Sequence, residues 1–181
     1  LASRLGSVAG ANKAGGVMAD AVLVQIADAV TAALNGASSG TFAADFTAVR
    51  SYADWDDQLT DAEQLRVDVV PFYAPTMELD GRGFIGGESM IDVGIRKKFS
   101  QAEQESTTGR ISAAAVDELL LLVEQVARYL VTDRFTALDA TCGAVWQKTE
   151  VRAAYIRDHL RLWGQFTGYV RLTFSTHEVK A

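Results

Sequence analysis

The chain has 181 residues, of which 49% are apolar and 22% charged. That size suits one domain with or without extensions, argues against two full domains, and is too apolar for a disordered chain. A formal charge of −6 argues against coating nucleic acid through the net field, while leaving room for a local basic patch. A single cysteine, Cys142, excludes an internal disulfide and a cysteine-built zinc cage, and two histidines, His159 and His177, leave little for a multi-histidine metal site.

Residues 1–17 are small and glycine-rich, carry Arg4 and Lys13 and no acid, and lack the continuous apolar run of a secretory signal. They read as a flexible leader or extension, the alternative being an arm that orders against a neighbouring subunit. Residues 18–181 read as a single domain. From Asp20 to Leu34 the apolar residues Leu23, Ile26, Ala27, Val30 and Leu34 recur at helical spacing, and Asn35-Gly36 supplies a stop. A Ser/Gly/Ala linker follows, and Phe46 to Tyr52 predicts a first strand.

Residues 53–63 hold Asp54, Asp56, Asp57, Asp61 and Glu63 with no base among them. Leu65 to Val70 alternates as a second strand, with Pro71 marking its end, a bulge or an edge. Phe72 to Ser89 contains Pro75 and four glycines and reads as a long connection. Met90 to Phe99 predicts a third strand with Ile91, Val93, Ile95 and Phe99 on one face and Asp92, Gly94, Arg96 and Lys98 on the other. After a polar loop, Ile111 to Thr132 is the strongest helical pattern, with Val116, Leu119, Leu120, Val123, Val126, Ala127 and Leu130 as its apolar stripe. Its charges, Asp117, Glu118, Glu124 and Arg128, make it the amphipathic helix of a soluble protein rather than a membrane span. Val145 to Val151 predicts a strand and Ala154 to Arg161 a turn or single helical turn. Phe166 to Phe174 alternates most cleanly of all, with Thr167, Tyr169, Arg171 and Thr173 between its apolar residues. The order predicts an α+β domain: a mostly antiparallel or mixed sheet of about four to five strands, with the N-terminal helix and the long helix packed on one face.

Little of this is catalytic. No G-x-S-x-G elbow exists, and a Cys142/His159 pairing needs only what any chain with one Cys and two His offers; a small buried thiol is the plainer reading. Gly81, Gly83 and Gly86 match G-x-G-x-x-G, yet the segment that follows reads as a strand where a dinucleotide site needs a helix. Counted from Asp54, the sixth and twelfth positions of a calcium loop would be Leu59 and Leu65, so the acidic stretch lacks that signature. It reads instead as a solvated loop or an acidic contact surface. Arg96-Lys97-Lys98, flanked by Arg82 and Arg110, is the main basic concentration. A salt-bridging edge, a rim facing DNA in a pore and a solvated strand end all fit it. Trp55, Tyr73, Phe84, Tyr155 and Trp163 fall in predicted loops or strand ends, where an interface and core packing from the loops compete equally.

Several phrases together carry a resemblance. Phe46-Thr-Ala-Val-Arg-Ser-Tyr52, Leu65-Arg-Val-Asp-Val-Val-Pro71, Ile91-Asp-Val-Gly-Ile-Arg-Lys-Lys98, Glu118-Leu-Leu-Leu-Leu-Val-Glu124 and Gly164-Gln-Phe-Thr-Gly-Tyr-Val-Arg-Leu-Thr-Phe174, in this order of elements, resemble the tail-terminator and neck proteins of long-tailed bacteriophages. The similarity spans about Met18 to Glu178, and the leader and the Phe72–Ser89 connection depart from it.

The resemblance implies a virion structural protein at the head–tail junction, made in the host cytoplasm, with no catalytic residues, cofactor or metal. It implies a ring, commonly of six copies, that ends the tail tube and joins it to the head connector. Its partners would be further copies of itself, the tail tube protein and a connector or stopper protein, with no membrane, and genomic DNA would pass the lumen without specific binding. A head-completion or connector-adaptor protein of the neck is the alternative; a small enzyme or a ligand-binding α+β module is more distant. On the leading reading the interface candidates are Trp55, Asp56, Asp57, Tyr73, Arg82, Phe84, Arg96 and Lys98. The negative charge would repel DNA weakly in the lumen, an idea that a strongly basic lumen would sink.

Overall fold

A computed structural model of the chain describes residues 21–52, 54–60, 64–73, 78–79, 85–103, 110–131 and 133–177. The leader expected at residues 1–17 lies outside them, as do Asp61, Glu63, Arg82 and Phe84. The elements run α1 (Val22–Asn35), β1 (Ala48–Arg50), β2 (Arg66–Tyr73), β3 (Glu78–Leu79), β4 (Ile85–Lys98), α2 (Ala113–Tyr129), α3 (Ala137–Cys142), β5 (Ala144–Ala153), α4 (Arg157–Trp163) and β6 (Gln165–His177). The fold is α+β. Its sheet is ordered β1-β2-β4-β6-β5, with β3 pairing β4 off that path. All neighbours are antiparallel except β1, which lies parallel to β2.

The spine of the sheet is β4 against β6, in unbroken register from Gly86 opposite His177 to Lys98 opposite Gln165. One face is the apolar core. Val67 and Val69 of β2, Ile91, Val93 and Ile95 of β4, and Val170, Leu172 and Phe174 of β6 are buried together under α1 and α2. Helix α1 contributes Ile26, Ala27, Val30 and Leu34, and α2 contributes Leu119, Leu122, Val123 and Val126. Both helices therefore pack on one side, as the patterning requires. The Ser112 hydroxyl caps α2 by accepting from the Ala115 amide at 3.2 Å. At the end of α1 the Asn35 carboxamide donates to the Ala48 carbonyl and accepts from the Ala48 amide at 2.9 and 2.8 Å. The stop signal thus also clips the helix to the start of β1.

Pro71 is tolerated for a reason visible in the ladder. The Val69 carbonyl accepts from the Ser51 amide, so odd residues of β2 turn their backbone groups toward β1. Pro71 lies beyond the last β1 pair, Arg50–Val69, and a register shift follows between Pro71 and Tyr73.

Two expectations are corrected. Phe72–Ser89 is not one long connection, because β2 runs to Tyr73, β3 occupies Glu78–Leu79 and β4 begins at Ile85. The chain between α2 and β5 contains a further helix, α3. The face of β4 that carries Asp92, Gly94 and Arg96 is distinct from that of Ile91, as the alternation predicts, and all three residues are buried. No helix among the described residues is long and apolar enough to cross a membrane.

Candidate interaction surface

The second face of the sheet is polar in sequence and closed in structure. Asp68 of β2 stands opposite Gly94 of β4, and Asp92 stands opposite Arg171 of β6, so register alone gathers opposite charges on one surface. Asp92, with no exposed surface, takes Arg171 in a two-pronged pair, Nε to Oδ1 and Nη2 to Oδ2, both at 2.7 Å. The ring of Phe72 lies 4.0 Å from the Arg171 guanidinium. The hydrogen bonds to Asp92 raise the Arg171 pKa above its ordinary value, against the opposing effect of burial. This arginine stays charged at any pH the fold survives.

Two strand repeats further on, Arg96 donates through Nη2 to Asp68 Oδ2 at 2.7 Å and through Nη1 to the Asp54 carbonyl at 3.3 Å. It is 4% exposed, so the reading of Arg96 as part of a solvated strand end is corrected. Its guanidinium lies 5.5 Å from the Trp55 ring, which stacks on Tyr169 at 5.9 Å and 16°. The indole sits over Gly94, where a Cβ would fall 2.1 Å from the ring. Only glycine leaves that space.

The turn that carries Trp55 is fastened along its length. The Leu59 amide donates to Gln165 Oε1 at 2.7 Å, and Lys98 Nζ donates to the Leu59 carbonyl at 3.1 Å. Gln165 Nε2 reaches the Asp57 carbonyl at 3.4 Å and Thr167 Oγ1 at 3.0 Å. His159 of α4 is buried, its ring tilted against that of Trp163 at 4.3 Å and 32°, with Nδ1 3.0 Å from Thr167 Oγ1 and Nε2 3.4 Å from Asp56 Oδ1. Helix α4 ends at Gly164, whose φ of 60° lets the chain enter β6 without a linker, and this seats His159 beside Thr167.

Five sequence candidates, Trp55, Asp56, Asp57, Arg96 and Lys98, are therefore brought together, but against one another within the molecule. Trp55 and Arg96 face inward, Lys98 is half-buried, and only Asp56 and Asp57 present their carboxylates to solvent. Tyr73 closes β2, its backbone paired with Met90, well apart from the turn. Pattern reading missed Asp92, Arg171, Tyr169 and Gln165 as parts of this surface, and considered His159 only as a partner for Cys142. The available signal was charge register: Asp92 and Arg171 sit at matching positions of two alternating strands.

Cys142 and His159 do not meet. Cys142 lies in the apolar core at the end of α3, where burial pushes its thiol pKa up, and His159 belongs to the opposite face. The strand expected after the glycine motif is present as β4, so the motif has no helix to hold a pyrophosphate. Among the described residues no group of three or more His, Cys, Asp or Glu is gathered to hold a metal ion. No protein-family model matches the chain, and no curated protein matches it.

Proposed function

We propose that the chain is a structural subunit of the neck of a long-tailed bacteriophage, working as a ring that ends the tail tube and joins it to the head connector. The sequence resemblance is the origin of this reading. The observation that best supports it is the sheet's two unlike ends. Strand β5 is terminal, and β1 is terminal on the opposite side and only three residues long. Exposed apolar side chains gather near both: Val49 and Tyr52 at the β1 end, Val145 and Val151 on β5, and Tyr155 and Leu162 just beyond it.

A sheet open at both ends is suited to side-by-side joining, and a closed ring removes the free edges that would otherwise recruit further chains. The clasped second face leaves edges and loops as the surface for neighbours. On this reading the chain is not an enzyme, and its product is geometry. The −6 charge would let DNA pass a lumen without adhering. The test is to mix the purified chain with tail tubes lacking their end protein and image them by negative stain. Rings seated at tube ends support the reading. Rings that bind only an isolated head connector would move the protein to the connector side of the neck, and no binding to either overturns it.

A further inference from the structure

Strand β5 ends the sheet on one side, and the alternation of its ladder shows which backbone groups point away from it. The His177 amide donates to the Gly143 carbonyl, and the Thr167 carbonyl accepts from the Ile156 amide, so odd-numbered residues of β6 turn their backbone groups toward β5. Lys148, opposite Thr173, and Glu150, opposite Arg171, therefore bond inward, while Thr149 and Val151 turn their N–H and C=O outward. No hydrogen bond meets those outward groups among the described residues. Register shifts at Trp146/Lys148 and Val151/Ala153 bound the open stretch, which leaves room for about five residues of a partner strand. The other terminal strand offers less. There the Ser51 amide bonds to Val69, so Ala48 turns outward, and the Asn35 carboxamide already holds both of its backbone groups.

The side chains on this stretch set what a partner must carry. Lys148 and Glu150 lie on the polar face and pair with each other at 2.9 Å, while Thr149 and Val151 lie on the core side, opposite Leu172 and Val170. The hydrogen bond from Lys148 holds the Glu150 carboxyl below its ordinary range, helped by the charges of Lys148, Arg152 and Arg171 and opposed by burial. Three cations thus act on one acid. Val151 is an exposed apolar side chain at the rim of the core. A second β5 is the wrong partner for this edge. Meeting all the outward groups requires Thr149 opposite Val151 of the other copy, and that register sets Glu150 against Glu150 and Lys148 against Arg152. Like charges directly opposite guard the edge against pairing with itself.

We propose that β5 takes a strand from a different protein, an extended segment that alternates acid, apolar, base, apolar, acid. Its acids meet Lys148 and Arg152, its base meets Glu150, and its apolar residues lie beside Thr149 and Val151 and extend the core. Backbone pairing at Thr149 and Val151 supplies the attachment, and the side chains supply the selection. The site is independent of the neck reading. Within a ring, the guard keeps β5 from closing two copies into an isolated pair.

The test is backbone-amide NMR on the full chain. In the free protein the Thr149 and Val151 amides should exchange at least about tenfold faster than those of Lys148 and Glu150, because only the latter bond to β6. The peptide Thr-Glu-Val-Lys-Val-Glu-Thr, added to about 1 mM, should slow exchange at Thr149 and Val151 and shift both amides saturably. Its charge inverse, Thr-Lys-Val-Glu-Val-Lys-Thr, should bind roughly tenfold more weakly, since every opposite-charge pair becomes a like-charge pair. The variant Lys148→Glu/Glu150→Lys/Arg152→Glu keeps the internal ion pair with its signs exchanged and should prefer the inverse peptide. Slow exchange at both outward amides in the dilute free chain overturns the open edge. No response to either peptide, equal binding of both, or an unchanged preference in the variant overturns the partner. Protection of Thr149 and Val151 that grows with protein concentration alone overturns the guard against self-pairing.

Discussion

The two faces of one sheet solve the same problem by different chemistry. On the helix side, Val93, Ile95, Val170 and Leu172 are covered by Leu122, Val123, Val126 and Ile26, and shape and area do the work. On the other side, Arg96, Gln165 and Thr167 are as deeply buried, yet their cover is an acidic turn held by hydrogen bonds and one indole, while Asp92 is closed off by Arg171. The apolar face tolerates small repacking because its contacts are non-directional. The polar face permits one arrangement, because each donor must find its acceptor. The lesson is that a turn rich in aspartate can be a structural cover, with its charge left outside and its backbone and ring turned in.

The comparison can be broken at several points. Asp92→Ala should have the largest effect, because it strands Arg171 under Phe72; a loss of about 3–5 kcal/mol is expected in urea unfolding. Replacing both members, as in Asp92→Leu/Arg171→Met, should recover most of that loss, which would show that the pair specifies the arrangement more than it stabilises it. Leu122→Ala on the opposite face should cost about 2–5 kcal/mol through a cavity, with no double replacement needed to understand it.

Gly94→Ala comes next. It forces the Trp55 ring off the sheet and should cost about 1–3 kcal/mol, with a red shift of tryptophan emission that Leu122→Ala does not produce. Glu103→Gln should be smallest, about 1 kcal/mol. Burial raises the Glu103 pKa, but hydrogen bonds from Lys97 and Ser100 outweigh it and hold the carboxyl below its ordinary value near 4.5. A carboxyl depressed by folding contributes stability above its unfolded value and loses it as pH falls through the folded one. The wild type should therefore lose stability more steeply than Glu103→Gln below about pH 4.5, which acid titration of the unfolding midpoint would check.

Helices α1 and α2 and strand β6 were legible in the sequence to within a few residues, because each has a full apolar period set against one core. Helix α3 was not, since six residues hold too little of a period. The start of β4 was hidden by Gly86 and Gly87, which read as loop until their pairing with β6 is known. The candidate surface was legible as a set of residues and illegible as an arrangement. Alternation assigns Asp92 and Arg96 to the face opposite Val93, but the cover of that face comes from contacts such as Leu59 to Gln165, 106 positions apart. No local pattern carries a partner at that distance.

The central claim is that the acidic turn is a fixed part of the fold and not a loose loop. Hydrogen exchange at the Leu59 amide tests it most directly, because this N–H lies in a turn yet donates to the buried Gln165 side chain. The account predicts that Leu59 exchanges as slowly as amides of β4 and β6, and that Gly94→Ala speeds it without speeding Leu172. Exchange of Leu59 at the rate of an exposed loop in the wild-type chain would contradict the account.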